Sequence, residues 1–220
     1  MHLLDAWTAL SVADLARLLG IPVAILVAAL LPGRRLTGVA ALSIAILVAP
    51  CDELSAPLAV RIGWVALWLV IAALTVSHGL DTARAPARRR GGFEASVVAL
   101  PLGAALALLL LAAVSRQSAS LAPLDARRAS LGALVLSAGV LHLMMRRHTR
   151  RALLAFGALG LGLELLAASA RRADVTGAGA PAGVALLGTC VAVALVSRIA
   201  GSREQWGGSP LVSDAHELHD

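Results

Sequence analysis

Seven stretches of the chain, at roughly 9–31, 36–50, 57–78, 94–114, 129–145, 152–170 and 180–199, are almost wholly apolar, and short arginine-bearing pieces separate them. Such blocks differ from the narrow apolar stripes of amphipathic soluble helices. A helix needs about 20 residues, and no fewer than about 17, to cross the hydrocarbon of a bilayer. The pattern predicts an all-α fold, a polytopic membrane helical bundle of about seven transmembrane helices. The second segment is the weakest, cut short by Arg35 and Pro50, and is expected to tilt little or to thin the bilayer locally. Residues 1–200 form the transmembrane domain in this reading, and 201–220 a polar cytoplasmic tail.

Local features punctuate the segments as membrane helices allow. Pro22 falls inside the first and is expected to kink it, with neighbours satisfying the freed carbonyl. Pro181 stands where a first-turn proline loses no hydrogen bond. Asp14 and Arg17, three apart near the start of segment one, share a helix face and read as an interfacial ion pair. The amino-terminal MHLLDAWTAL lacks a basic region and a small-residue cleavage site, so it reads as retained.

Composition agrees with the pattern. The chain is 59% hydrophobic and 15% charged, with mean hydropathy +0.83. A soluble domain of this size needs more polar surface to cover its core. The net charge is +6 and every basic residue is Arg. These arginines lie in short clusters between apolar blocks, as topology signals do, which argues against a nucleic-acid partner.

Orientation follows from where the arginines fall. With the N-terminus outside and seven crossings, twelve lie in inside segments: Arg34, Arg35, Arg84, Arg88, Arg89, Arg90, Arg146, Arg147, Arg150, Arg151, Arg198 and Arg203. Six lie outside: Arg61, Arg116, Arg127, Arg128, Arg171 and Arg172. The excess places the chain N-out and C-in, multi-pass in the cell (inner or plasma) membrane.

Cysteine chemistry is sparse. Cys51 falls in a loop and Cys190 mid-span, with no CxxC pair and no Cys/His set at metal spacing. Neither a metal site nor a cofactor is expected in this chain. In the tail, Asp214, His216, His219 and Asp220 have ligand chemistry, but flexible tails commonly carry such residues. Trp206, before two glycines, reads as an interfacial or docking residue.

Glu164 is the one carboxylate deep within an apolar stretch, RALLAFGALGLGLELLAASARR at 151–172. A charge there costs several kcal/mol unless it finds a partner, water or a proton, which makes it a functional candidate. Gly157, Gly160 and Ala168 lie seven and four residues before it and four after, so all share its helix face. Small residues on that face allow a neighbouring backbone to approach. Leu161 and Leu165 lie on another face and suit lipid or a bulky partner. No basic residue within the span 152–170 reaches the carboxylate, and desolvation disfavours its charged form. Three readings stay open: a protonated carboxyl that bonds helices together, a proton relay, and a rim position reached by water. His142, near the inner end of segment five, is the second relay candidate, against a plain interfacial histidine. The two differ in depth by more than a hydrogen bond. His78, at the inner end of segment three, reads the same way as His142.

The stretch LGALVLSAGVLHLMMRRHTRRALLAFGALGLGLELLAASARR, followed by VALLGTCVAVALVSRI, resembles the E-type membrane component of hydrogenase-4 and formate-hydrogenlyase complexes. The features shared are an apolar helix ending in Arg146 and Arg147, a basic loop, a helix opening at Arg151–Leu153 with Phe156–Gly157, and a last helix closing at Arg198–Ile199. Agreement is best over about 130–200. That family has seven helices, and its last three (here about 129–200) are related to the K-type membrane subunit of respiratory complex I. The family places a Glu where this chain has Gly162, so Glu164 falls two residues late, a rotation of about 200° around the helix. The last helix, Val184–Val196, carries no acid.

The resemblance implies a non-catalytic membrane subunit of a hydrogenase-like, complex-I-related oxidoreductase. Such a subunit scaffolds the membrane arm, with proton translocation as an added role. Its partners would be antiporter-like membrane subunits and a metal-containing hydrophilic arm. The alternative is a stand-alone proton or small-solute transporter. An intramembrane enzyme would need a nucleophile–base pair or a metal triad, and no spacing provides one.

Overall fold

The computed structural model describes residues 7–31, 34–76, 92–117, 121–145, 150–173 and 181–207. No strand occurs among the described residues. Among these residues, seven helices of 15 residues or more follow one another: α1 (Val12–Leu30), α2 (Arg34–Val48), α3 (Leu58–Val76), α4 (Gly92–Gln117), α5 (Pro123–Met144), α6 (Arg151–Ala173) and α7 (Val184–Gly207). A single 3-10 turn, Asp52–Leu54, links α2 to α3.

Local chemistry sets two of the helix starts. Ser11 caps α1, its hydroxyl oxygen accepting from the Asp14 backbone N–H at 3.2 Å and donating to the Asp14 carboxylate at 2.7 Å. Pro22 lies inside α1, which runs on to Leu30. Pro123 opens α5, where its fixed φ suits a first turn and its missing N–H has no helical partner to lose. The helix therefore begins six residues before the apolar segment expected from 129, and its first turns carry Asp125, Arg127 and Arg128 into the protein.

Helix α7 also exceeds its apolar segment. It continues through 201–207, so the first residues of the expected tail are the last turns of a helix. The remaining tail residues Asp214, His216, His219 and Asp220 lie outside the described residues, as do His78, Arg84, Arg88, Arg89, Arg90, Arg146 and Arg147. Pro181 sits in the turn before α7, its carbonyl accepting from Val184 N–H at 3.4 Å.

Among the described residues, four helices are long and apolar enough to cross a membrane, within Val12–Leu30, Leu58–Val76, Arg151–Arg171 and Val184–Arg203. Two shorter apolar helices lie within Arg35–Val48 and Leu100–Arg116. Large apolar side chains project outward from these, among them Ile46, Leu58, Leu108, Leu109 and Leu187. A surface of this kind fits a bilayer as its solvent.

Helix α6 sits at the centre. Of its apolar window 72% is buried, against 33% or less for the other three long spans. It packs most extensively on α5 and also touches α1, α2, α3 and α7. The core around it is built from Trp64, Trp68, Ile71, Leu131, Leu153, Leu154 and Leu161.

Candidate functional site around Glu164

The small residues flanking Glu164 meet two different helices. A Cβ added to Gly157 would lie 2.8 Å from Ile71 Cδ1 and 3.0 Å from the Trp68 ring, both on α3. One added to Gly160 would collide with the Thr189 side chain on α7, whose Cβ stands at 2.8 Å. Ala168 is buried on the same face. Leu161 and Leu165, on a different face, are fully buried as well, while Leu163 is the exposed leucine of this stretch.

Glu164 itself is buried, its side chain 1% exposed. The Arg171 guanidinium donates to Oε1 at 2.9 Å. The span 152–170 indeed holds no basic residue, but the expectation of a carboxylate buried without a cation is corrected, since Arg171 lies one residue past that span. The helix continues past the apolar span to Ala173, and seven residues are close to two turns, so Arg171 returns to the same face. The Gly183 backbone N–H also donates to the carboxylate, 3.3 Å from Oε2 and 3.4 Å from Oε1, near the long end of the hydrogen-bond range.

Gly183 immediately precedes α7 and has φ +94°, a region open to glycine and costly for other residues. A Cβ there would also approach Val60 Cγ2 at 3.0 Å. The carboxylate thus fixes the turn that launches α7, and it stands at that helix's positive end. Its described partners all use it as an acceptor.

His142 is brought nowhere near Glu164. Its ring is buried, with Nε2 3.1 Å from the Arg151 carbonyl. Donation there requires the Nε2–H tautomer. Arg151 opens α6, and Glu164 lies 13 residues along it, a separation of about 20 Å at 1.5 Å per residue. Beside His142, Arg151 donates to Leu31 O at 2.9 Å and Arg150 to Leu74 O at 3.3 Å, so these arginines bind carbonyls at the ends of α1 and α3.

Gly162, where the resembled family carries its Glu, faces α5. An added Cβ would lie 2.8 Å from the Leu136 backbone nitrogen and 3.0 Å from Gly132 O. A side chain at that position would have to push the α5 backbone away, and the carboxylate two residues later projects toward the α7 side instead.

Sequence reasoning missed a second polar cluster at the same end of the bundle. Glu53 of the 3-10 turn pairs with Arg127 at 2.9 Å. Arg128 pairs with Asp125 at 2.8 Å and donates to Glu53 O at 2.8 Å and Asp52 O at 3.4 Å. Arg61 pairs with Asp52 at 3.3 Å, and Trp7 Nε1 donates to Ser130 Oγ at 2.9 Å. The connection between α2 and α3 is thereby latched to the start of α5.

Cys51 is buried under this latch, its thiol 3.5 Å from Glu53 Oε2. Burial first, and then the Glu53 charge, push its thiol up from 9.0 to about 12. The available signal was the pairing of two like-charged doublets, Asp52–Glu53 and Arg127–Arg128, each at the same end of its apolar segment. The expected Asp14–Arg17 pair is present at 4.0 Å, on the same end and half-buried.

Among the described residues, no three His, Cys, Asp or Glu side chains gather as metal ligands would. Comparison with protein-family models, with curated proteins and with solved structures gives no match.

Proposed function

We propose that this chain is a non-catalytic integral membrane subunit of a larger assembly, a helical scaffold of the hydrogenase-like, complex-I-related type. In this reading it crosses the plasma membrane seven times, N-out and C-in. It packs against antiporter-like membrane subunits that are joined to a metal-containing hydrophilic arm. The observation that carries the scaffold role is the state of Glu164. The one carboxylate deep in an apolar stretch is engaged by Arg171 and by the Gly183 N–H, and that arrangement ties α6 to the start of α7. Two further observations support the reading. Apolar side chains cover the outward faces of the helices, and segments 130–200 resemble the hydrogenase-4 E-type component.

The test is purification of the chain from its native membrane in mild detergent, with identification of everything that accompanies it. Antiporter-like subunits and a metal-containing arm are expected in stoichiometric amounts. A chain that emerges alone and stable overturns the proposal and brings the stand-alone transporter forward. Proton flux into liposomes, compared with that of Glu164→Gln, then decides that case.

A further inference from the structure

Two tryptophans of α3 are fully enclosed, and their indole N–H groups have no partner among the described residues. Trp64 and Trp68 are each 0% exposed, and neither Nε1 meets an acceptor. Trp7 shows the ordinary case in the same fold, with its Nε1–H on Ser130 Oγ at 2.9 Å. An indole nitrogen can only donate, so no change of tautomer relieves the problem. A buried donor left without an acceptor carries its full desolvation penalty, and native proteins almost always satisfy such groups with protein or ordered water.

Position narrows the answer. Val60, Trp64 and Trp68 lie four apart and so form one row on α3. Val60 abuts Gly183, whose N–H binds Glu164, and the Trp68 ring abuts Gly157. Trp64 therefore stands between the level of the carboxylate's anchor and the level of Gly157. Across the seam, Thr189 packs on Gly160. It gives its hydroxyl hydrogen to Ala185 O, which leaves its oxygen lone pairs for an incoming donor. With no exposed surface at either tryptophan, a lipid headgroup, a detergent or a partner chain has no access to these donors. The acceptor must be small enough to be enclosed.

We propose that the seam between α3 and α6 holds buried water, bound by the Trp64 and Trp68 indole N–H groups, beside the Glu164 anchor. The polar side of α6 is then hydrated, whereas its contact with α5 is dry. The inference is independent of the scaffold reading and holds whether the chain works alone or in an assembly.

The test uses the full chain with 15N-labelled indole nitrogens, in lipid nanodiscs, with magnetisation transfer from water to the indole protons. The expected result is transfer to both Trp64 and Trp68 Nε1–H, at chemical shifts typical of hydrogen-bonded indoles. W64F and W68F should each remove one of these signals. If one variant fails to fold, the other, together with W7F and W206F, assigns the remaining signal by elimination. Absence of water transfer at both indoles overturns the proposal, whether the shifts are those of free N–H groups or of groups bonded to an acceptor from the chain.

Discussion

Helix α6 meets its neighbours across two seams built on different terms. Against α5, backbone lies on backbone. A Cβ added at Gly162 would stand 2.8 Å from Leu136 N, at Gly132 3.0 Å from Gly162 O, and at Gly139 3.1 Å from Leu159 N. Against α3 and α7, the space left by Gly157 and Gly160 is filled by side chains, from Trp68, Ile71 and Thr189, and Glu164 lies one turn beyond. Glycine marks close contact on both sides. What occupies the gap decides whether a polar group has room. Where Gly132, Gly139 and Gly162 bring the α5 and α6 backbones together there is none, and the buried carboxylate of α6, Glu164, falls on the other side.

The sharpest way to break this comparison is to load the α5 seam. Gly162→Glu would put a carboxylate against a backbone that cannot retreat, and no folded protein is expected. Gly162→Ala is the graded version and should cost about 1–3 kcal/mol, the usual range for overpacking. Thermal unfolding in detergent measures it. A folded Gly162→Glu protein of ordinary stability would show that α5 and α6 are not in backbone contact there.

The second effect concerns the polar seam. Arg171→Met leaves Glu164 enclosed without its cation and should cost about 3–5 kcal/mol, typical of a broken buried pair. Glu164→Gln should cost less, since its carbonyl still accepts from Gly183 N–H, and Arg171, with 19% of its side chain exposed, can turn to solvent. The double variant Glu164→Gln/Arg171→Met should be more stable than Arg171→Met alone, because no buried charge is left. If Arg171→Met unfolds no more easily than the parent, the ion pair is not what holds the carboxylate in the interior.

These two seams also show what the sequence made legible. The apolar blocks located the seven long helices among the described residues, four of them long and apolar enough to cross a membrane, because such blocks need no tertiary information. The face of α6 shared by Gly157, Gly160, Glu164 and Ala168 was readable from helical spacing alone. The partner of Glu164 was not, because the apolar span was closed at 170 while hydrogen bonding carries the helix to Ala173 and turns Arg171 back. The start of α5 was missed for the opposite reason. Hydropathy discards Asp125, Arg127 and Arg128, yet all three are buried or nearly so, Arg127 and Arg128 through bonds to a turn some 75 residues away and Asp125 through its pair with Arg128. Nothing local in either segment announces that pairing.

Alkali separates both seams from the latch. The chain has no Tyr and no Lys, and arginine does not titrate in the accessible range. Folded Cys51 keeps its proton to about pH 12, whereas the unfolded chain loses it near 9.0. A thiol raised on folding contributes stability that is fully present below pH 9 and is lost as pH rises toward 12. The melting temperature should therefore fall between pH 9 and 11 in the parent, and in Gly162→Ala and Arg171→Met by similar amounts. Cys51→Ala should flatten that fall. An equal slope in Cys51→Ala would mean that the thiol is not enclosed beside Glu53.

The smallest effects test whether the two seams differ in how far they can give. At Gly157 the nearest atom to an added Cβ is the terminal methyl of Ile71, which a side-chain rotation can move, although the Trp68 ring at 3.0 Å must also yield. At Gly188, on the outward face of α7, nothing lies within 4 Å. Replacing a helical glycine by alanine gains about 1 kcal/mol of intrinsic helix preference where there is space. Gly188→Ala should thus be neutral or more stable, and Gly157→Ala should lose less than about 1 kcal/mol, well short of Gly162→Ala. Unfolding of the three variants in one detergent gives the order directly. If Gly157→Ala proves as damaging as Gly162→Ala, the α3 seam is as rigid as the α5 seam, and the distinction between backbone and side-chain packing fails.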